Sequence, residues 1–203
     1  MTRENIIERV KARIDELNPF TSEELNTGVN LIDSMLNDST TTLLLTLPVH
    51  LIKPYEVDDY PSTHVQYQDG SGRIDLPDDF LRLHTFKMST WKMAVHTPIF
   101  PGHPKYDLQK SVYTMGKENK PVVIIKNSLG LKQLYYYSVD PSNPRTIETY
   151  WHIPSLLPTG LEDELIPYLS WQCAADVLQI LNEDKAAEGA RSQLLNLIIS
   201  SNQ

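Results

Sequence analysis

Six histidines, one cysteine, two pairs of adjacent aspartates and a run of three tyrosines are the residues of this chain whose types could do chemistry. His50, His64, His84, His96, His103 and His152 could act as bases, acids or metal ligands. None belongs to an H-x-x-x-H pair and none stands beside the cysteine. His84 and His96 are spaced to face each other across a hairpin, but a zinc site needs two more ligands and the sequence nominates none. Cys173 lies in an apolar stretch, where a thiol serves as a small core side chain rather than a nucleophile. Asp58-Asp59 and Asp78-Asp79 are carboxylate pairs of the kind that loops solvate or use to cap free N–H groups. Tyr135-Tyr136-Tyr137 could stack the bases of single-stranded nucleic acid, but no basic residues interleave them. On a strand, alternating aromatics serve cross-strand packing or anchor an interface. There is no G-x-S-x-G, no Walker A loop and no G-x-G-x-x-G. The reading is a chain without a catalytic, cofactor or metal site.

The 203 residues suffice for one large domain or two small ones. With 40% hydrophobic and 22% charged residues, the composition is that of a soluble globular protein. No apolar run approaches the ~20 residues that span a bilayer, so no membrane contact is expected. The N-terminal MTRENIIERVKARIDEL mixes charges into its apolar positions, unlike a secretory leader. One cysteine leaves no intrachain disulfide, which suits a reducing compartment. The net charge of −8, with basic residues dispersed, is not the footprint of a duplex-DNA binder. It fits plain solubility, or a surface past which DNA slides without being held.

The elements that must position these residues are helices at both ends and strands between. Ile7, Val10, Ile14 and Leu17 predict an amphipathic helix over Arg3–Leu17, capped by Thr2 and stopped before Pro19. Thr21 and Glu24 form a capping box, with Phe20 stapling onto Leu25. The stripe Leu25, Val29, Ile32 and Leu36 follows. Whether that helix runs through Thr40–Thr46 is left open by propensity. Pro48 interrupts the apolar run Leu43–Ile52, which carries the chain from helix to sheet.

Residues 55–158 read as β structure. The predicted strands are Thr63–Gln68, Gly72–Leu76, Leu81–Ser89, Lys92–Thr97, Val122–Lys126, Gln133–Val139 and Thr146–Trp151. Leu81 and Leu83, then Trp91, Met93 and Val95, alternate with period two around a turn at Pro77-Asp78-Asp79-Phe80. Val122-Val123-Ile124-Ile125 is apolar on both faces and is placed centrally in its sheet. Pro98–Pro104 has too many prolines for a strand and reads as an exposed loop. A helix then starts near Leu165, with Pro167 in its first turn and Leu165, Leu169, Leu178 and Ala175 or Gln172 on one side. Asn182–Asp184 breaks it, and Asp184 is expected to cap a last helix with the stripe Ala187, Ala190, Leu194, Leu197 and Ile198. The fold class expected is α+β, with terminal helices forming a bundle and an inserted antiparallel β barrel or sandwich. The divisions are residues 1–54, 55–158 and 159–203, the last packing on the first.

Three segments carry a further resemblance. Ile74-Asp75-Leu76-Pro77, then Asp79-Phe80-Leu81-Arg82-Leu83 and Trp91, is similar to a phrase of the head–tail connector (adaptor, or neck-ring) proteins of tailed bacteriophages. Those include the ring proteins of short-tailed and crAss-like phages. LLLTLPVHLIKP (Leu43–Pro54) and LIPYLSWQCAADVLQIL (Leu165–Leu181) resemble two more segments of such proteins. The resemblance implies a structural virion protein, made in the bacterial cytoplasm, that forms a dodecameric ring between portal and tail. Its partners would be the portal protein, neighbouring neck or tail rings and copies of itself, with double-stranded DNA passing through unread. The surface anchors expected are Trp91, Phe100, Tyr135, Tyr137 and Trp151, and the C-terminal Leu194, Ile198, Ser200 and Gln203 would dock on the portal. A regulatory module that docks a peptide on the β insert is the alternative, and a hydrolase with an unrecognised site is a third.

Overall fold

The computed structural model describes residues 1–18, 22–57, 63–111, 113–128, 130–137, 142 and 146–201, with the side chains of 22–27 left aside. The capping box at Thr21 and Glu24, the Phe20 staple onto Leu25 and the Asp58-Asp59 pair lie outside what is described. The chain is α+β and divides into two compact units: Met1–Lys53 with Ser155–Gln203, and Pro54–Pro154.

In the first unit the helices are α1 (Arg3–Leu17), α2 (Ser22–Thr46), α3 (Ile166–Ile180) and α4 (Asp184–Ser200). Thr2 caps α1 by accepting from the Asn5 N–H. The buried face of α1 is Ile6, Val10 and Ile14, one step round from the predicted stripe; Ile7 and Leu17 are half-buried. α2 continues through the threonines, where Thr40, Thr41 and Thr46 hydroxyls donate back to carbonyls four residues earlier. That satisfies their polar groups without leaving the helix. α2 stops where Pro48 would remove a ladder bond, and a single 3-10 turn, Val49–Leu51, follows. α3 packs against α1, α2 and α4 and is buried nearly all round, through Ile166, Leu169, Trp171, Ala174 and Val177 among others. Such burial is expected of an all-apolar helix at the centre of a bundle. Asn182 takes a left-handed φ of 61° and turns the chain into α4. Asp184 is the first residue of α4 and not its cap. The cap position is Glu183, and the Asp184 carboxylate accepts from Gln179 Nε2.

The second unit holds two antiparallel sheets. β1 (Tyr55–Glu56), β7 (Ile147–Pro154) and β4 (Phe80–Met88) form one, in that order. β2 (Val65–Gln66), β3 (Gly72–Asp75), β6 (Leu131–Tyr136) and β5 (Val123–Ser128) form the other. One apolar core is shared by both, with Phe80, Leu83, Phe86, Met88, Ile147 and Tyr150 from the first sheet and Ile74, Val123, Ile125, Leu134 and Tyr136 from the second. The insert is therefore a sandwich. Phe86 is at its centre: its ring stacks on Tyr136 of the opposite sheet at 6.0 Å and meets Tyr150 and Trp91 edge-on. The turn at Pro77 forms as predicted, with the Phe80 N–H bonded to the Pro77 carbonyl at 3.0 Å.

Three expectations are corrected. The simple alternation of Leu81 and Leu83 does not hold, because register shifts between Phe80 and Arg82 and between Leu83 and Thr85 re-aim the strand. The residues that reach the core are Phe80, Leu83, Phe86 and Met88. Lys92–Thr97 is not a strand; it makes one bridge, Val95 to Phe86. A tight turn from Met88 to Trp91 drives the Trp91 ring inward and leaves Met93 53% exposed. β5 is not central but last in its sheet, and its free edge is covered by Ile99, which bonds Val123 and Ile125 in parallel. Part of the proline-rich 98–104 segment thus protects a sheet edge. β1 went unpredicted because its two residues are both exposed.

Two outcomes follow. Trp91 is 3% exposed against Phe86, so Trp91→Ala should cost about 3–5 kcal/mol in denaturant melts. A loss under about 0.5 kcal/mol, the level of surface sites, would place it outside the core. Gly72 faces Tyr136 across β3 and β6, and a Cβ there would land on the Tyr136 ring and hydroxyl. Gly72→Ala should therefore cost about 1–3 kcal/mol, as overpacking does. Combined with Tyr136→Leu it should cost clearly less than the sum of the two single changes; strict additivity would remove the clash from the account.

Candidate functional site

The groups with chemical potential are dispersed over both units, and several of them have a structural occupation. Cys173 is fully buried on α3, and burial pushes its thiol up to about 12, so no thiolate forms near neutral pH. Beside it, Ser39 of α2 donates to Asp176 of α3 at 2.6 Å, and Gln172 donates to the same carboxylate. This is a polar clasp between two helices. His64 Nε2 lies 2.7 Å from the buried Tyr136 hydroxyl and satisfies it.

His84 and His96 do come together, through Thr85. His96 Nδ1 is 3.0 Å from the His84 carbonyl, which can only accept, so that nitrogen carries the proton. The Thr85 hydroxyl lies 3.2 Å from His96 Nδ1 and 2.8 Å from His84 Nδ1. It accepts from the first and joins the two rings through one hydroxyl. Burial first, then His96 and Arg82, hold the His84 pKa below its ordinary value. Among the described residues no group of three or more His, Cys, Asp or Glu side chains is placed to hold a metal ion.

His152 on β7 is the most deeply buried histidine, 1% exposed. Tyr55 from β1 meets it edge-on, Phe80 from β4 stacks on it, and Tyr150 flanks it on its own strand. The Asp79 carboxylate stands 3.6 Å from Nε2, outside hydrogen-bond range, and neither ring nitrogen has a hydrogen-bond partner among the described residues. Burial lowers the His152 pKa and Asp79 offsets part of that.

The surface residues fare differently. Trp91 is inside the core and offers no face to a neighbour. Phe100 is 54% exposed. Tyr135 is half-buried on the outer face of β6, with Lys126 Nζ 3.9 Å from its ring centre and its hydroxyl donating to Gln133. A cation does therefore sit on this aromatic row, which the linear sequence conceals. Tyr137 is half-buried, and desolvation raises its hydroxyl to about 12. Trp151 is half-buried near the His84 ring. Leu194 and Ile198 are half-buried on α4, Ser200 is exposed and donates to the Leu197 carbonyl, and Gln203 lies outside the described residues.

Sequence reasoning missed several exposed apolar groups. Among them are Tyr113 at 93%, Leu157 at 66% and Tyr55 at 63%, with Leu108 between β4 and β5 and Leu195 and Ile199 on α4. For α4 a signal existed: Leu194, Leu195, Leu197, Ile198 and Ile199 are too many for one core-facing stripe. For Tyr113 none did. No helix among the described residues is long and apolar enough to cross a membrane.

No protein-family model matches this chain, and no curated protein matches it.

The buried His152 generates a pH prediction. Its folded pKa lies below the unfolded value of 6.5, so the unfolded chain takes up the proton first. Stability should be fully present above about pH 6.5 and fall as pH drops below it. His84 acts in the same direction. Asp79, Tyr55 and Tyr150 are the titratable groups facing the ring. Urea midpoints from pH 7.5 to 5 should decline in the native chain and decline less in His152→Leu. Equal slopes would show that His152 protonates freely when folded.

Proposed function

We propose that this chain is a structural protein of a phage neck, assembling as a ring between portal and tail through which DNA passes. The observation that carries the reading is the order of the three resembling segments and where each falls. The first, 43–54, spans the end of α2 and the handover to the β unit. The second, 74–91, is the β3–β4 corner together with the Trp91 anchor. The third, 165–181, is the buried helix α3. These are the joints of the architecture, where sequence is constrained by packing, so their agreement in order supports a shared architecture more than three surface matches would. The activity proposed needs no catalytic group. It needs a stable body with two different contacting faces.

The alternative is a regulatory module that docks a peptide on the β insert, and one mode of such docking, strand addition, finds little room here. β1 and β2 are two residues long, Ile99 occupies the β5 edge, and Val95 bridges Phe86 on β4. No long open edge remains among the described residues for a peptide to extend.

The purified chain should be mostly monomeric in native mass spectrometry, because its net charge of −8 opposes self-association without a template. It should form a ring on portal-bearing capsids and co-sediment with them. Deleting residues 200–203 should leave the fold intact, since Ser200 and Ser201 are exposed, and should abolish co-sedimentation. A tight dimer indifferent to portal would count against the ring. Normal capsid binding by the truncated chain would remove the C-terminal docking.

A further inference from the structure

Three strands close around the ring of His152, and they do not hold it equally. Phe80 stacks on it from β4, Tyr150 flanks it on β7, and Tyr55 meets it edge-on from β1 with 5.7 Å between ring centres. Phe80 is 4% exposed, begins the long β4–β7 ladder, and accepts from Lys132 Nζ at its carbonyl. Tyr55 is 63% exposed on a strand of two residues, and Glu56 beside it is exposed as well. Pro54 has no N–H with which to extend that strand backwards. The other end is firmer: Val57 donates to the Tyr150 carbonyl at 3.0 Å and packs on the core of the unit. Tyr55 and Glu56 are therefore the part of the enclosure that costs least to open.

The enclosed ring has no hydrogen bond of its own, since neither nitrogen is partnered among the described residues. A neutral imidazole tolerates this among aromatic side chains. An imidazolium carries a charge and two N–H donors, which need water or an acceptor. The groups that face it are few. β1 presents the Tyr55 phenol, β7 the Tyr150 phenol, and β4 the uncharged Phe80 and Leu83. Lys132 of β6 stands behind Phe80, 5.4 Å from its ring centre. Asp79, in the turn before β4, lies 3.6 Å from Nε2 with its side chain 55% exposed. Asp79 is thus an acceptor already half in water, which the imidazolium reaches once the enclosure opens.

The backbone links the same two residues. Antiparallel ladders alternate bonded and non-bonded pairs. With Val57 bonded to Tyr150, the next bonded pair is Tyr55 with His152. The lid over the ring and the last bonds of β1 therefore open together.

We propose that Tyr55 is an acid-released latch: protonation of His152 frees Tyr55 and Glu56 from β7, and their release admits water to the imidazolium beside Asp79. The two events favour each other by the same factor. While enclosed, His152 is held below its ordinary value of 6.5, by burial first. The open form therefore takes up the proton first, and opening gains up to about tenfold per pH unit below 6.5, until the closed form protonates too. β1 carries the chain into the β unit after Lys53 and β7 carries it out at Pro154, so the pairing that opens joins the two ends of the unit. The β4–β7 ladder and the second sheet stay closed, which separates the latch from acid unfolding. The device lies within the β unit and does not depend on the neck assignment.

The test is NMR on the full chain between about pH 7.5 and about pH 4.5, following the His152 ring and the hydrogen exchange of single amides. Protection of the Tyr55 and His152 amides, relative to a free chain at the same pH, should fall by up to about tenfold per pH unit below 6.5 and be indifferent to low urea. The Leu134 amide, on a strand paired on both sides, should stay more protected at every pH and respond to urea. In Tyr55→Ala the His152 titration midpoint should rise toward 6.5, while Tyr55→Phe, which keeps the ring, should leave it in place. Each tenfold gain in proton affinity on removing the Tyr55 ring should match a tenfold loss of β1 protection on acidification. An unchanged midpoint in folded Tyr55→Ala would show that β4 and β7 alone enclose the ring, and would overturn the latch. So would protection that is flat across the range, that follows Leu134 in urea, or that falls equally far in His152→Leu. The exchange measurement on the native chain decides by itself if a variant does not fold.

Discussion

The β unit depends on the stack of Phe86 on Tyr136 between its two sheets. Each ring is fully buried, and each fixes other parts of the unit. Phe86 sets the positions of Trp91 and Tyr150, so the loop after β4 must turn at once to bring the indole inward. Tyr136 lies across Gly72, which has no side chain to obstruct it, and reaches His64 with its hydroxyl. A large ring over a strand glycine restores the contact surface that the glycine lacks. The residues of the second resembling segment, from Ile74 to Trp91, wrap this stack. Their pattern therefore reports packing, whatever the protein does.

In the helical unit the corresponding constraint is α3. A helix buried on nearly every side must be covered by other helices, and α1, α2 and α4 do this. The few polar groups that enter are paired, as in the Ser39–Asp176 clasp and the Arg13 guanidinium over the Trp171 ring. α4 gives only its N-terminal half fully to this core, through Ala187 and Ala190. Its C-terminal half holds more apolar side chains than the core can take. The surplus at Leu195 and Ile199 lies open, which is costly unless a partner covers it.

Histidine use follows the same logic of packing before chemistry. His152 fills a space among three aromatic rings and is held neutral there. His84 and His96 share one threonine hydroxyl at the base of the Met88–Val95 loop. His64 serves Tyr136. Each imidazole thus supplies shape or a single hydrogen bond, and none forms part of a nucleophile–base pair among the described residues.

Much of this protein was legible from local pattern. Thr2, the spacing of Val10 and Ile14, and Pro19 are enough to delimit α1, since a helix needs only a stripe, a cap and a stop. Pro77 fixes a turn by its own φ, and the polar residues of 69–72 fix another, so the β3–β4 corner was readable. The apolar density of 165–181 announced a core helix. What the linear sequence could not decide were the features set by contacts distant along the chain. The bulges of β4 exist because Phe80, Leu83 and Phe86 must all meet the opposite sheet, which a period of two would forbid. The rank of β5 depends on Ile99 taking its edge, a pairing that no composition encodes. Lys126 reaches Tyr135 only because β5 and β6 lie side by side. Trp91 could be read as core or as interface until Phe86 was seen beneath it. Exposure is a property of the assembled surface, so Tyr113 and Ile199 acquired their meaning only when everything around them had been packed.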